Sequence, residues 1–157
     1  MNWKKTGAAV LLLVAVWGLG RLPHPAVDVG KLEPVELVLV EGSETGIYLE
    51  MDTGAHGTGG NLVEAVEDLQ KGASAEIFLE SADKILIRGN VERYWPEIWT
   101  LFRPDCLVCE VKTEIDLVSA AEYLSVHPSG QTLGRLLGGL GGMPVLYMKE
   151  GRFGFEE

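Results

Sequence analysis

The chain has 157 residues, of which 23 are acidic and 13 are basic, so its formal net charge is −10. This length is enough for one domain with a substantial hydrophobic core. The excess of negative charge repels phosphate backbones and anionic lipid headgroups, so the composition argues against nucleic acid as a partner.

The first 21 residues differ in kind from the rest of the chain. Lys4 and Lys5 precede an apolar run over residues 7–20 (GAAVLLLVAVWGLG), and no small-x-small cleavage site follows it. Such a run is typical of a signal peptide or a short membrane anchor. We therefore predict an uncleaved membrane anchor or signal over residues 1–21, with the lysines in the cytoplasm and the rest of the chain outside. Residues 22–33 (LPHPAVDVGKLE) predict a tether, and residues 34–157 predict a single domain.

Residues 35–52 predict two strands joined by a turn. Residues 35–41 (VELVLVE) and 47–52 (IYLEMD) carry apolar side chains at strand spacing, and residues 42–46 (GSETG) are typical of a turn. Short connections of this kind join antiparallel neighbours, so we predict an N-terminal antiparallel hairpin.

The glycine-rich residues 54–60 (GAHGTGG) predict a loop that crosses from the second strand to a helix. Asn61 is suited to cap that helix, and Glu64 stands three residues later, in the capping-box position. Gly72 is suited to the position just beyond the end of the helix. The apolar runs at residues 77–79 and 85–87 then predict a return to extended chain.

Helices and strands alternate over the second half of the chain. The patterns predict a helix that starts near Trp95 with Pro96 in its first turn, a strand over residues 106–112, a helix over residues 117–125 capped by Asp116, a weak helix over residues 131–140, and a final strand or hairpin over residues 144–155. This order predicts an α/β (α+β) fold. We expect a mixed sheet of about four to five strands with the N-terminal antiparallel hairpin, covered by three to four helices.

The order and spacing of several segments resemble one known family. Residues 57–69 (GTGGNLVEAVEDL) are similar to the motif G-x-G-K-[ST]-L-x-E-A-L-x-x-L at a helix start. Residues 78–79 and 84–89 (KILIRG) are similar to the strand motif F-x-x-x-x-x-K-V-L-L-I-G, and residues 102–104 (FRP) precede a strand and a short helix. Over residues 32–137 the chain thus resembles the N-terminal domain of the spore germination Ger(x)C (GerAC) family, the C subunits of nutrient germinant receptors.

That resemblance implies a non-enzymatic, membrane-associated protein that faces outward in an endospore-forming bacterium. It implies other germinant-receptor subunits as partners, in addition to the membrane contact through the N-terminal anchor. Two features depart from the family pattern. The N-terminal segment carries no cysteine for lipid attachment, and Gly60 or Asn61 stands where the family has a lysine.

Two other functional classes remain open at this point. Asp52-Thr53-Gly54-Ala55 after an apolar strand resembles the active-site loop of retropepsin-like aspartic proteases, which need two aspartates that share a proton. This hypothesis requires a homodimer around Asp52. A β-hairpin directly after the glycine loop would favour it, whereas a helix at that place favours the contact protein. The third class, a small-ligand sensor, requires a pocket lined by several convergent polar groups.

The sequence indicates no catalytic, cofactor-binding or metal-binding residues beyond that alternative. The glycine loop lacks Gly-Lys-[Ser/Thr], and Leu62 stands where a dinucleotide fingerprint needs glycine. The histidines are scattered along the chain, which argues against a metal site; they are His24, His56 and His127. Cys106 and Cys109 are spaced to point to opposite faces of a strand. Trp95 and Trp99 lie one helical turn apart, and the sequence leaves open whether they belong to the core or to an interface.

Overall fold

The computed structural model describes residues 32–156, so the predicted anchor and most of the predicted tether lie outside the described residues. Within this range there are nine strands and four α-helices. The strands are β1 (Leu32–Pro34), β2 (Leu37–Gly42), β3 (Ile47–Met51), β4 (His56–Gly59), β5 (Glu76–Phe78), β6 (Lys84–Gly89), β7 (Leu107–Val111), β8 (Val145–Lys149) and β9 (Arg152–Glu156). The helices are α1 (Leu62–Gly72), α2 (Trp95–Leu101), α3 (Leu117–Val126) and α4 (Leu133–Leu137).

A mixed seven-stranded sheet organises the described residues, with the strand order β4-β3-β2-β6-β7-β8-β9. Strands β2, β6, β7 and β8 are parallel neighbours, whereas the β2–β3, β3–β4 and β8–β9 pairs are antiparallel. Strands β1 and β5 form a separate parallel pair. The predicted α/β (α+β) class, the N-terminal hairpin and the number of helices are therefore confirmed.

Each face of the sheet carries its own hydrophobic core, because the central parallel strands are buried on both sides. Helices α1, α2 and α4 pack on one face, where Val38, Val40 and Ile85 point. Helix α3 packs on the opposite face of the sheet. It contacts Leu39 and the other strand residues that alternate along the chain with those of the first face. The buried residues of α3 lie at helical spacing on one side, and they are Leu117, Ala120, Ala121 and Leu124.

The predicted strand count of four to five is too low, and the glycine-rich segment explains part of the difference. Residues 56–59 were expected to be loop, but they form β4, which pairs with β3 from Glu50 opposite His56 to Ile47 opposite Gly59. Because glycine has a low strand propensity, the sequence pattern conceals this strand. The apolar runs at residues 77–79 and 85–87 belong to different sheets, since β5 pairs with β1 and β6 lies in the main sheet.

Helix α1 follows β4 directly and begins as predicted. The Glu64 N–H donates to Asn61 Oδ1 at 2.9 Å, and Glu64 Oε2 accepts from the Gly60 N–H at 2.9 Å. The helix end differs from the prediction, because Gly72 is the last helical residue and Ala73, in an extended conformation, ends the helix.

Two glycines of β4 let α1 approach the sheet closely. A Cβ at Gly57 would lie 2.6 Å from Leu69 Cβ and would also meet the Ala65 carbonyl. A Cβ at Gly59 would lie 2.5 Å from the Ala65 nitrogen. These distances are shorter than van der Waals contact, so only glycine allows the backbone of α1 to pack on this strand.

The close contact predicts that Gly57→Ala lowers the free energy of unfolding by about 1–3 kcal/mol, the usual cost of overpacking. Gly72→Ala is the matched control. No atom lies within 4 Å of a Cβ at Gly72, and alanine in a helix gains up to about 1 kcal/mol over glycine. Chemical denaturation followed by circular dichroism measures both changes. Equal stabilities for the two variants would contradict the contact between β4 and α1.

Candidate functional site

Asp52 lies at the turn of the β3–β4 hairpin. The Met51 N–H donates to the Ala55 carbonyl and the Gly54 N–H donates to the Met51 carbonyl, each at 2.9 Å. The Glu36 N–H donates to Asp52 Oδ2 at 3.2 Å. The second oxygen, Oδ1, is buried and has no hydrogen-bond partner among the described residues.

Burial has the largest effect on the pKa of the Asp52 carboxyl group. It raises the pKa of Asp52 above its ordinary value and outweighs the hydrogen bond from the Glu36 N–H, which acts in the opposite direction. The negative charge of Glu36 adds a smaller increase. Ionisation of the Asp52 carboxyl group is therefore less favourable in the folded chain than in water.

Helix α1 begins at Leu62, directly after the glycine-rich segment, and this order along the chain favours the contact protein over the protease. Asp52 itself lies in the turn between β3 and β4. In a shared-proton dyad each aspartate must face the other across the dimer axis. Here Oδ1 is buried within the same chain, and Oδ2 is bound to that chain's own backbone.

The N-terminus of α1 is occupied by side chains of the same chain. The Leu62 N–H donates to Glu97 Oε2 at 2.7 Å, and the Glu64 N–H is bound to Asn61. The negative charge of a carboxylate at this position interacts favourably with the positive end of the helix dipole. A bound phosphate would use the same N–H groups. Two of these backbone N–H groups are thus already bound by side chains of the chain itself.

Cys106 and Cys109 are both buried and unpaired, and they belong to the cores on opposite faces of the sheet, as predicted. Burial raises the pKa of Cys106 and raises that of Cys109 to about 11. The Cys106 thiol donates to the Ala82 carbonyl at 3.1 Å. Since the thiolate is the reactive form, these thiols have the character of structural cysteines.

Trp95 and Trp99 divide between core and surface. Their ring centroids lie 5.9 Å apart at 45°. Trp95 is partly buried against the core on the face of the sheet that carries α1, α2 and α4, whereas Trp99 is 38% exposed. The question that the sequence left open therefore has a different answer for each residue.

An apolar groove runs between α1 and α2 and encloses about 460 Å³. Val63, which is 63% exposed, stands at the start of α1, and Glu67 and Glu97 add carboxylates to the lining. The Thr100 hydroxyl donates to the Pro96 carbonyl at 2.9 Å, so it is satisfied within α2. The remaining lining residues are Leu62, Val66, Pro96, Thr100 and Leu101.

The groove was not predicted from the sequence. Val66 has the helical spacing that puts it on one face with Leu62, Ala65 and Leu69, but it is only partly buried and lines the groove. The signal available was a second apolar position, Val63, outside that face. Whether Val63 lines a groove depends on where α2 lies, and the helical periodicity of α1 does not predict the position of α2.

A polar hollow of about 510 Å³ lies beyond the carboxyl ends of β2 and β6, where ligands of parallel sheets often bind. Its lining residues are Ser43, Glu44, Asn90, Glu92 and Arg93. The Glu92 N–H donates to Asn90 Oδ1 at 3.1 Å, and the Arg93 guanidinium lies over the Tyr94 ring. Part of this polar set is thus bound to neighbours within the chain.

Residues 32–156 hold no cluster of three or more potential metal ligands. His56 and His127 lie near aromatic rings, those of Tyr48 and Tyr123 respectively, and His24 falls outside the described residues. None of the helices in this range combines the length and the apolar character that a membrane span requires.

No family model, curated protein or solved structure matches the chain.

The burial of Asp52 predicts a specific dependence of stability on pH. The folded state holds the Asp52 proton more tightly than the unfolded state does. The resulting stabilisation is present below the ordinary carboxyl pKa and is lost as the pH rises through the raised pKa. We expect Asp52→Asn to raise the thermal unfolding midpoint at neutral pH and to lose that advantage at acidic pH.

Thermal unfolding of the two proteins over a pH series measures this difference. The control is Asp105→Asn, because the Asp105 side chain is 75% exposed. A constant difference between wild type and Asp52→Asn at every pH would contradict the assignment of a buried, proton-binding carboxyl group.

Proposed function

We propose that the chain is a non-enzymatic contact protein of the germinant-receptor C-subunit type, held at the membrane by residues 1–21 and facing outward. The groove between α1 and α2 carries this proposal, because it is an apolar surface on two adjacent helices. Support also comes from the sequence, since residues 57–69 at the start of α1 and residues 84–89 of β6 are similar to the family motifs. The two thiols are buried, and the Asp52 carboxyl is buried at one oxygen and bound to the backbone of its own chain at the other, so none of them is an evident nucleophile.

The groove indicates the chemistry of its partner. Exposed apolar area on adjacent helices is characteristic of contact surfaces, and Val63 and Val66 provide it here. The carboxylates of Glu67 and Glu97 favour a partner that presents basic side chains around an apolar segment. We propose that this partner is an extracytoplasmic segment of the multi-span germinant-receptor subunit.

The Glu97 carboxylate also links the two walls of the groove. It belongs to α2 and accepts the Leu62 N–H of α1 at 2.7 Å. Hydrogen bonds to a charged acceptor are stronger than neutral ones. This bond supports a preformed groove, which reduces the entropy cost of ordering a surface when a partner binds.

A matched pair of substitutions tests the groove. Val63 and Val118 both stand at the second position of a capped helix and are 63% and 52% exposed. An aspartate at either position faces the favourable end of the helix dipole, so both variants should fold. We expect Val63→Asp to weaken binding at least about tenfold, because the new charge loses water in an apolar contact. Val118→Asp should bind as the wild type does.

The measurement is co-purification of the tagged full-length chain with the multi-span germinant-receptor subunit from detergent-solubilised spore membranes. Retention of that subunit by the wild type and by Val118→Asp, but not by Val63→Asp, supports the proposal. If the wild type does not retain the subunit, the germinant-receptor assignment is wrong. If all three proteins retain it equally, the groove is not the contact surface.

The aspartic protease is the second candidate, favoured by the position of Asp52 in the turn between two paired strands and by the raised pKa of its carboxyl group. A protease of this class works as a homodimer in which one aspartate is neutral and the other is ionised. Its test is peptide cleavage by the full-length chain with and without pepstatin. Cleavage that pepstatin inhibits and that Asp52→Asn abolishes would replace the contact function with this one.

A further inference from the structure

The edges of the sheets are protected in different ways. At the β4 edge, the Thr58 N–H donates to Asp68 Oδ2 at 3.0 Å, so a side chain of α1 occupies the outward backbone group. At β5, Gln70 bonds both backbone groups of Ile77, at 2.9 and 3.3 Å. An unpaired strand edge is a template for another strand, and side chains placed in this way block it.

Strand β9 forms the other edge of the seven-stranded sheet, and within residues 32–156 no group bonds to its outward backbone. The strand follows β8 through a tight turn at Glu150 and Gly151, which have φ values of 52° and 74°. Lys149 stands opposite Arg152. In a hairpin of this kind the pair that flanks the turn is hydrogen bonded, and the pairs alternate from there.

This alternation determines which backbone groups of β9 are free. The N–H and C=O groups of Arg152, Gly154 and Glu156 point to β8, whereas those of Phe153 and Phe155 point outward. The strand reads Arg-Phe-Gly-Phe-Glu, with a phenylalanine on each side of a central glycine and opposite charges at its two ends. A strand of this composition is complementary to itself in the antiparallel direction.

We propose that β9 pairs with β9 of a second copy of this chain, antiparallel about a two-fold axis at Gly154. Phe153 of each copy then exchanges N–H···O=C bonds with Phe155 of the other, so that all the outward backbone groups of the two phenylalanines are satisfied. Arg152 of each copy lies opposite Glu156 of the other. The two sheets become one continuous sheet with an isologous interface.

Charge selects this register over its neighbours. A shift by two residues in one direction would place Gly154 opposite Arg152 and Glu156 opposite Glu150. A shift by two residues in the other direction would place Phe155 opposite Phe155 and leave Arg152 without Glu156. Opposite charges across a strand pair stabilise it and like charges destabilise it. The register centred on Gly154 is therefore favoured.

Both faces of β9 are suited to the pairing. On one face, Phe153 and Phe155 lie near the Tyr123 ring, with centroid distances of 5.3 and 6.1 Å, and a second copy extends this aromatic row. On the other face, the Tyr147 ring covers Gly154, and a Cβ there would lie 2.8 Å from Tyr147 Oη. Glycine at the axis thus leaves room for both tyrosines.

Glu156 already has one ionic partner, because Lys112 Nζ lies 3.1 Å from its Oε2. Both side chains are more than half exposed, and exposed ion pairs of this kind contribute little to stability. Glu156 can therefore also accept Arg152 of the second copy. The pairing lies at the opposite sheet edge from β4, against which α1 packs, and so does not depend on the function proposed for the groove.

Charge reversal tests the register. In sedimentation equilibrium of the full-length chain in detergent, we expect a concentration-dependent dimer. Arg152→Glu places like charges opposite each other twice and should weaken dimerisation about tenfold. The double variant Arg152→Glu with Glu156→Arg restores opposite charges and should recover the dimer. Lys71→Glu makes the same change in net charge on α1 and should have no effect.

A wild type that remains monomeric at all concentrations would overturn the proposal. A dimer that Arg152→Glu leaves unchanged, or that the double variant fails to recover, would also overturn it.

Disulfide trapping provides a second test that reports the register directly. Residues 152 and 156 form a non-hydrogen-bonded pair across the interface, where Cα atoms are about 4.5 Å apart, within the range that a disulfide spans. Under mild oxidation, a mixture of Arg152→Cys and Glu156→Cys chains should give covalent dimers, whereas neither variant alone should. Cys106 and Cys109 are buried and do not interfere. Equal cross-linking of each variant with itself, or no cross-linking in the mixture, would exclude this pairing.

Discussion

The close packing of α1 on β4 is the constraint on which the described structure depends. Gly57 and Gly59 bring the helix backbone into contact with the strand, and no other residue type fits there. The position of α1 then determines three further features. Asp68 reaches the outer edge of β4, Glu97 of α2 reaches the first N–H of α1, and the apolar groove forms between the two helices. The close contact between the backbones of α1 and β4 therefore determines the arrangement at one end of the sheet.

The reactive groups of Asp52, Cys106 and Cys109 differ in exposure from the surfaces proposed for contact. The Asp52 carboxyl and the two thiols are buried or bound within the chain. The exposed features are surfaces, namely a groove with acidic residues at one end of the sheet and a free strand at the other. A protein with two such surfaces can bind a partner through one and a second copy through the other, because the two contacts use different elements.

The two edges of the main sheet show how natural sheets control association. The β4 edge is blocked by a carboxylate from α1, although β4 itself is rich in glycine and has little side-chain bulk. The β9 edge has no such block among the described residues, and its composition is self-complementary. The difference lies in the side chains of neighbouring elements, since the backbone edges of two antiparallel strands are chemically alike.

The sequence by itself determined the class of the fold, the hairpin of β2 and β3, the capped starts of α1 and α3, and the opposite orientation of Cys106 and Cys109. These features depend on local periodicity and on short-range hydrogen bonds, such as those of Asn61 and Asp116, which a sequence displays directly. Only the tertiary structure decided that residues 56–59 are a strand, that β5 leaves the main sheet, and that Val63 and Val66 line a groove. Each of these features depends on an element that is distant in the sequence. Glycine has little conformational preference of its own, so its conformation depends on the segment against which it packs. An apolar side chain on a helix is exposed or buried according to which other helix lies beside it.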